Sequence, residues 1–161
     1  MESKKRKRKG FHEPSTKLGF GENEEEGSSV GEVKVRMLSI DAAWNAGTGQ
    51  AGLGWVLTQT EATSSFSKIA KKVPSPLMAE GLALREALQK SKDLGIKTLN
   101  VESDSKNLIN SILNDNTISE LYGIVADILL LSGCFDFVSF RWISREANYA
   151  VDLVAKTELW C

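Results

Sequence analysis

Histidine occurs once in the 161 residues, at His12, and cysteine only at Cys134 and Cys161. A lone histidine so placed nearly excludes a histidine-based triad or a zinc cluster inside the fold. The two cysteines show no metal-ligand spacing and fit free thiols in a reducing compartment. Long apolar runs are missing too. The densest, Ile124 to Leu131, is interrupted by Asp127 and falls short of the roughly 20 residues that span a bilayer, so no membrane partner is expected. Basic residues follow Met1 without an apolar segment behind them, which is not the pattern of a secretory signal. These absences read as an intracellular protein. No internal repeat is visible. Net charge of one sign is also lacking, since 20 Lys and Arg stand against 21 Asp and Glu.

What is present is ordinary in amount and uneven in placement. With 42% hydrophobic and 25% charged residues, the chain has material for one domain with a sizeable core. The unevenness lies at residues 1–32. Lys4-Lys5-Arg6-Lys7-Arg8-Lys9 is an unbroken basic run and Glu22-Asn23-Glu24-Glu25-Glu26 an acidic one, with Gly, Ser, Pro and Thr around them. Charge blocks with so little apolar content predict a disordered tail over 1–32 and a folded domain over 33–161. The basic run reads as a nuclear localisation signal or a nucleic-acid tether, or equally as a solvated stretch.

From Val33 the texture changes. Val33 to Asp41 reads as a strand that ends in an acid, followed by a turn through Ala42-Ala43-Trp44-Asn45. On strand parity Asp41 shares a face with Val33, Val35 and Met37, the positions expected to point at a core. Asn45 to Gly54 is turn-forming. Trp55 to Thr60 and Ser64 to Ala70 read as two more strands of an antiparallel meander. Pro76 suits the first turn of a helix over Leu77 to Leu94, stopped by Gly95. Thr98 to Glu102 is a fourth strand. A short helix, Lys106 to Leu113, is capped by Asp104 or Ser105, and Asp115-Asn116-Thr117 breaks it. A further helix runs to about Leu131, Phe135 to Ile143 alternates as a fifth strand, and Glu146 to Trp160 closes as a helix. Helices between strands three, four and five argue for parallel crossovers on a mixed sheet, an α/β fold.

Acid placement carries the chemistry. Asp41 is a charge at the end of an apolar strand, where it is costly unless paired or coordinated. Glu80 lies about 40° from Leu84 and 60° from Leu77 at roughly 100° per residue, bordering the helix face that packs on the sheet. Asp104 follows the fourth strand, at the rim where α/β sheets bind ligands. Asp152 takes a position in the Asn148, Asp152, Ala155, Leu159 stripe where an apolar residue is expected. Each also has a plainer reading: a turn residue, a first-turn acid, a helix cap, and a partner for Lys156 at helical spacing. The four together can face one rim. There each close pair would repel by on the order of 4 kcal/mol at about 4 Å and an effective dielectric near 20. Oxygen-only ligands select hard cations, Mg²⁺ or Mn²⁺, and two such ions roughly 3.5–4 Å apart suit phosphodiester hydrolysis. Gly47-Thr48-Gly49-Gln50-Ala51-Gly52 fits a dinucleotide fingerprint. That pattern needs a helix behind it, whereas Trp55-Val56-Leu57-Thr58 is strand-like, so a hairpin loop and no nucleotide cofactor are expected.

Ile40-Asp41-Ala42-Ala43-Trp44 with Ala51-Gly52-Leu53-Gly54-Trp55-Val56-Leu57 resembles the first hairpin of ribonuclease H type 1 domains. Ala79-Glu80-x-x-Ala83-Leu84, Val101-Glu102-Ser103-Asp104-Ser105 and Arg145-Glu146-Ala147-Asn148-x-x-Val151-Asp152-x-x-Ala155 resemble the other three motifs in order, over residues 34 to 160. The likeness is strongest to the plant group related to the ribonuclease H domain of non-LTR retroelements. It implies a five-stranded mixed sheet, three antiparallel strands then two parallel ones, flanked by helices. It implies endonucleolytic hydrolysis of the RNA strand of RNA–DNA hybrids with two Mg²⁺ ions, Mn²⁺ being a possible substitute, by a monomer. By similarity Asp41 would bridge both ions, Glu80 and Asp104 would hold one, and Asp152 the other with the attacking water. The 2′-hydroxyls would be met by main chain at Ala42, Ala43, Trp44 and Asn45 and around Glu80, with Ser105 and Asn148 as further substrate contacts.

Three departures stand out. Ala42-Ala43 occupies the place where Gly and Ser are frequent. No His precedes the last helix, where the stretch is Phe140-Arg141-Trp142-Ile143-Ser144. The basic helical protrusion of some bacterial members is missing, and residues 34–161 hold 13 Lys and Arg against 14 Asp and Glu, so general attraction to phosphate is weak. The alternative to an enzyme is therefore a retroelement-derived domain that binds nucleic acid or protein with little or no catalysis.

Overall fold

The first strand begins in a run whose alternate residues, Leu38 and Ile40, are wholly buried. The computed structural model describes residues 35–60, 62–114 and 117–160. The charged stretch 1–32, Val33, Asp115, Asn116 and Cys161 lie outside them. Ten elements follow one another: β1 (Arg36–Asn45), β2 (Gln50–Gln59), β3 (Ala62–Ala70), α1 (Pro76–Asp93), β4 (Thr98–Ser103), α2 (Lys106–Leu113), a single 3₁₀ turn (Ser119–Leu121), α3 (Tyr122–Ser132), β5 (Phe137–Trp142) and α4 (Tyr149–Trp160). The sheet order is β3-β2-β1-β4-β5. β1, β2 and β3 pair antiparallel, and β4 and β5 join in parallel, as expected for this α/β fold. Among the described residues no helix is long and apolar enough to cross a membrane.

The strand boundaries differ from expectation in a way that matters. Asp41 does not end β1. It lies inside a ten-residue strand that continues through Ala42-Ala43-Trp44-Asn45, and the turn is confined to 46–49. Asn45 Oδ1 closes that turn by accepting from the Gly47 and Thr48 amides, and Gly49 takes a positive φ of 67°. β2 then starts at Gln50, so the glycine fingerprint runs into a strand and lacks the helix N-terminus it would need.

Parity is also the reverse of the expectation. Val35 is 49% exposed and Met37 half-buried, whereas Leu38 and Ile40 enter the core. Opposite them across β2 stand Leu57 and Trp55, and Leu84 and Leu88 of α1 complete this main layer. Asp41 therefore belongs to the other face, paired with Gly54. That face is covered by α4, which approaches so closely that a Cβ at Gly54 would lie 2.7 Å from the Ala155 amide nitrogen. Gly52 is crowded by Ala155 and Leu159 in the same way. The two glycines in β2 are thus seats for α4.

Candidate active site

The four acids arrive on four elements. β1 and β4 run parallel in register as far as Ile40 opposite Ser103, so the next residues, Asp41 and Asp104, emerge side by side. Ser105 rather than Asp104 caps α2, accepting from the Leu108 amide at 3.4 Å, which leaves the Asp104 carboxylate uncommitted to the helix. Ser75 caps α1 through the Met78 amide, with Pro76 at the first helical position. Glu80 follows beyond the first turn, which contains no acid. Asp152 stands in the first turn of α4.

Asp41, Glu80 and Asp104 each offer one carboxylate oxygen, and these oxygens all lie within 4.8 Å of one another. Asp41 is 5% exposed, and Glu80 Oε2 is buried with no hydrogen-bond partner. Burial, then the charge of Asp104, pushes the Asp41 carboxyl up to about 7 against the relief given by the Ala42 amide, which donates to Asp41 Oδ1 at 2.8 Å. Burial, then Asp41 and Asp104, likewise holds Glu80 well above the ordinary carboxylate range. Three converging carboxylates, two of them hard to ionise and one with a buried oxygen that lacks a partner, fit a hard divalent cation, which would relieve their repulsion.

Asp152 stands outside this set of three, although it is close enough to act on the Asp41 carboxyl. Its Oδ2 takes a hydrogen bond from Lys156 Nζ at 2.8 Å. The plainer reading of Asp152, an ion pair at helical spacing, is thus present together with proximity to Asp41. Arg145 Nε sits 3.5 Å from Asp104 Oδ2. These two cations were not singled out from the sequence as site residues, though both flank motif acids.

The remaining candidate residues are tied into the fold by their side chains. Trp44 Nε1 donates to the Val73 carbonyl at 2.9 Å, fastening β1 to the segment that leads into α1. Asn45 closes the hairpin turn and Ser105 caps α2, as described. Asn148 is 2% exposed and its Nδ2 donates to the Ile40 carbonyl at 3.0 Å, pinning the start of α4 beside Asp41. Ala42 and Ala43 are half-buried on β1. Beyond Ile40 the β4 side of β1 has no strand partner among the described residues, so main-chain groups of Ala42 to Asn45 on that side lie outside the sheet ladder.

A model of the family described as "Reverse transcriptase-like" matches residues 39–158. No curated protein matches the chain. Among solved structures, ribonuclease H1 from the halophilic archaeon Halobacterium salinarum superposes with a TM-score of 0.66 at 23% identity, covering 78% of this chain and 97% of that one. The N-terminal RNase H domain of a Mycobacterium tuberculosis protein gives 0.68 at 19% identity, covering 76% and 97%. LC11-RNase H1 bound to an RNA/DNA hybrid gives 0.67 at 20% identity, covering 76% and 94%. At such identities the likeness establishes the fold, and the family match runs through all four acid-bearing elements. The chain belongs to the reverse transcriptase-like family and has the fold of ribonuclease H1.

Proposed function

We propose that the protein hydrolyses the RNA strand of RNA–DNA hybrids with the help of divalent cations. The observation that carries this reading is the cluster of three carboxylates, one of which, Glu80, keeps a buried Oε2 without a hydrogen-bond partner. It lies at the open rim of a fold that LC11-RNase H1 uses to bind a hybrid. Asp41, Glu80 and Asp104 would hold one Mg²⁺, and Asp41 with Asp152 a second. A cation so held supplies Lewis acidity at the scissile phosphate and eases ionisation of water. Asp152, half-buried, would position the attacking water, a role that requires its carboxylate to be released from Lys156. Main chain along Ala42 to Asn45 meets the 2′-hydroxyls, the feature that separates RNA from DNA.

A second reading, a nucleic-acid-binding domain without catalysis, is favoured by one observation: Lys156 already occupies the Asp152 carboxylate. A cleavage assay on a labelled hybrid with Mg²⁺ separates the two. The enzymatic reading expects cutting of the RNA strand that falls by about a hundredfold or more in Asp41→Asn and Glu80→Gln, because losing even a group that only orients a metal ligand costs about 10–100-fold. Absence of cutting by the parent, or equal cutting by both variants, leaves the binding domain.

A further inference from the structure

The acid cluster repels the polyanion it is proposed to cut, so cations must hold the strand on either side of the scissile bond. Arg145 and Lys156 stand at the cluster but face Asp104 and Asp152. Arg141 is bound to Glu102. Lys106, exposed at the first residue of α2, is different. Among the described residues it has no carboxylate partner, and its Nζ lies 4.3 Å from the centroid of the Trp142 ring. That ring is anchored in turn on the site itself, because Trp142 Nε1 donates to the Asp104 carbonyl at 3.0 Å. A cation at this end of a helix opposes the helix dipole, so local helix stability does not account for it. The indole holds the flexible lysine stem by cation–π attraction without neutralising the ammonium, as a carboxylate would.

We propose that Lys106, held on Trp142, takes a backbone phosphate of the nucleic acid adjacent to the one at the acids. The contact rests on the reading of the site as a hybrid nuclease and names a binding residue for it. It is sequence-independent, a single phosphate contact that positions the strand. Trp142 has a double part: it carries the lysine and ties it to the Asp104 turn, so the phosphate grip and the acids keep one spacing.

Hybrid binding by the full chain, measured by fluorescence anisotropy with divalent ions chelated over a range of salt, tests this beside Mg²⁺-dependent cleavage. Lys106→Ala is expected to weaken binding several-fold at low salt and to reduce the log Kd against log salt slope by about 1. KM should rise with kcat within twofold of the parent, and Lys106→Arg should restore both. Lys97→Ala, an exposed lysine at the other end of β4, should change neither. Trp142→Leu should reproduce part of the loss and add nothing to it in the double variant. A parent that cuts and a Lys106→Ala variant with unchanged slope and KM overturn the contact and leave the nuclease reading intact. A parent that neither binds nor cuts hybrid removes both.

Discussion

Burial of Asp41 beside Asp104 raises its carboxyl from an ordinary 3.8 to about 7, and the direction of that shift makes a stability statement. A carboxyl raised in the folded state binds its proton more tightly there than in the unfolded chain. Its contribution is complete below about pH 4 and is lost as pH rises through about 7. Glu80, also raised by burial and by Asp41 and Asp104, and relieved only in part by Arg145, acts in the same sense. Without divalent ions the melting temperature should therefore fall between pH 5 and pH 8, and Mg²⁺ should flatten that fall. Asp41→Asn should raise the metal-free Tm at pH 8 by a few degrees, on the order expected for about 1 kcal/mol in a domain of this size, while abolishing cleavage. Calorimetric melts with EDTA or Mg²⁺ check this, and a metal-free Tm that is flat or rising over that range refutes it. The expense of a charge at Asp41 could be read from the strand around it. Glu80, Asp104 and Asp152 could be named as its neighbours from their places on the expected elements; that Asp104 is the charge that raises it most could not, because the two meet only through the β1–β4 register.

At the scale of elements, α4 is the part whose placement decides whether the fourth acid can serve. It sits on glycine, and Asn148 pins its start to the Ile40 carbonyl. Gly54→Ala should push the helix off β2, because the new Cβ would lie 2.7 Å from the Ala155 nitrogen. The expected loss is about 1–3 kcal/mol of stability, the usual result of overpacking. Cleavage should drop further than the unfolded fraction explains, since Asp152 moves relative to Asp41. Gly123→Ala, in α3 with nothing within 4 Å of the added methyl, should be neutral or slightly stabilising. Urea melts and specific activity of the folded fraction distinguish the pair, and equal activity in Gly54→Ala would count against the role given to α4. The helices and the succession of elements along the chain could be read from periodicity and from breakers such as Pro76 at the start of α1. The glycines 47 to 54 misled, because glycine at a turn and glycine beneath a packed helix look alike in sequence. Gly47 and Gly49 serve the first use, while Gly52 and Gly54 serve the second and are strand residues. The parity error has a similar origin: with helices on both faces, apolar residues occupy both registers of β1, and only tertiary packing shows which side holds the larger layer.

At the scale of the molecule, net charge gives no help in gathering a polyanion. Residues 34–161 are nearly balanced, and residues 1–32 carry seven basic and seven acidic side chains. Any electrostatic contribution from that stretch must come from segregation: six consecutive cations at Lys4-Lys5-Arg6-Lys7-Arg8-Lys9, with the acids concentrated well beyond them. At about 0.15 M salt the Debye length is roughly 8 Å, so such a run acts at contact and not by steering from a distance. Used as a tether, it would contact several phosphates and steepen the salt dependence by nearly one for each. Comparing the full chain with residues 33–161 on the same hybrid tests this. The shorter chain should bind several-fold more weakly at 50 mM salt, lose two or more from the log–log slope on that counterion arithmetic, and converge on the full chain near 300 mM. Its kcat should be unchanged, because all four acids lie on β1, α1, the β4–α2 turn and α4. Reversal of the six charges to Glu in the full chain should weaken binding beyond deletion, by adding repulsion where the tether stood. Equal slopes for full and shortened chains would rule out the tether and leave the hybrid to be held by residues 33–161 alone.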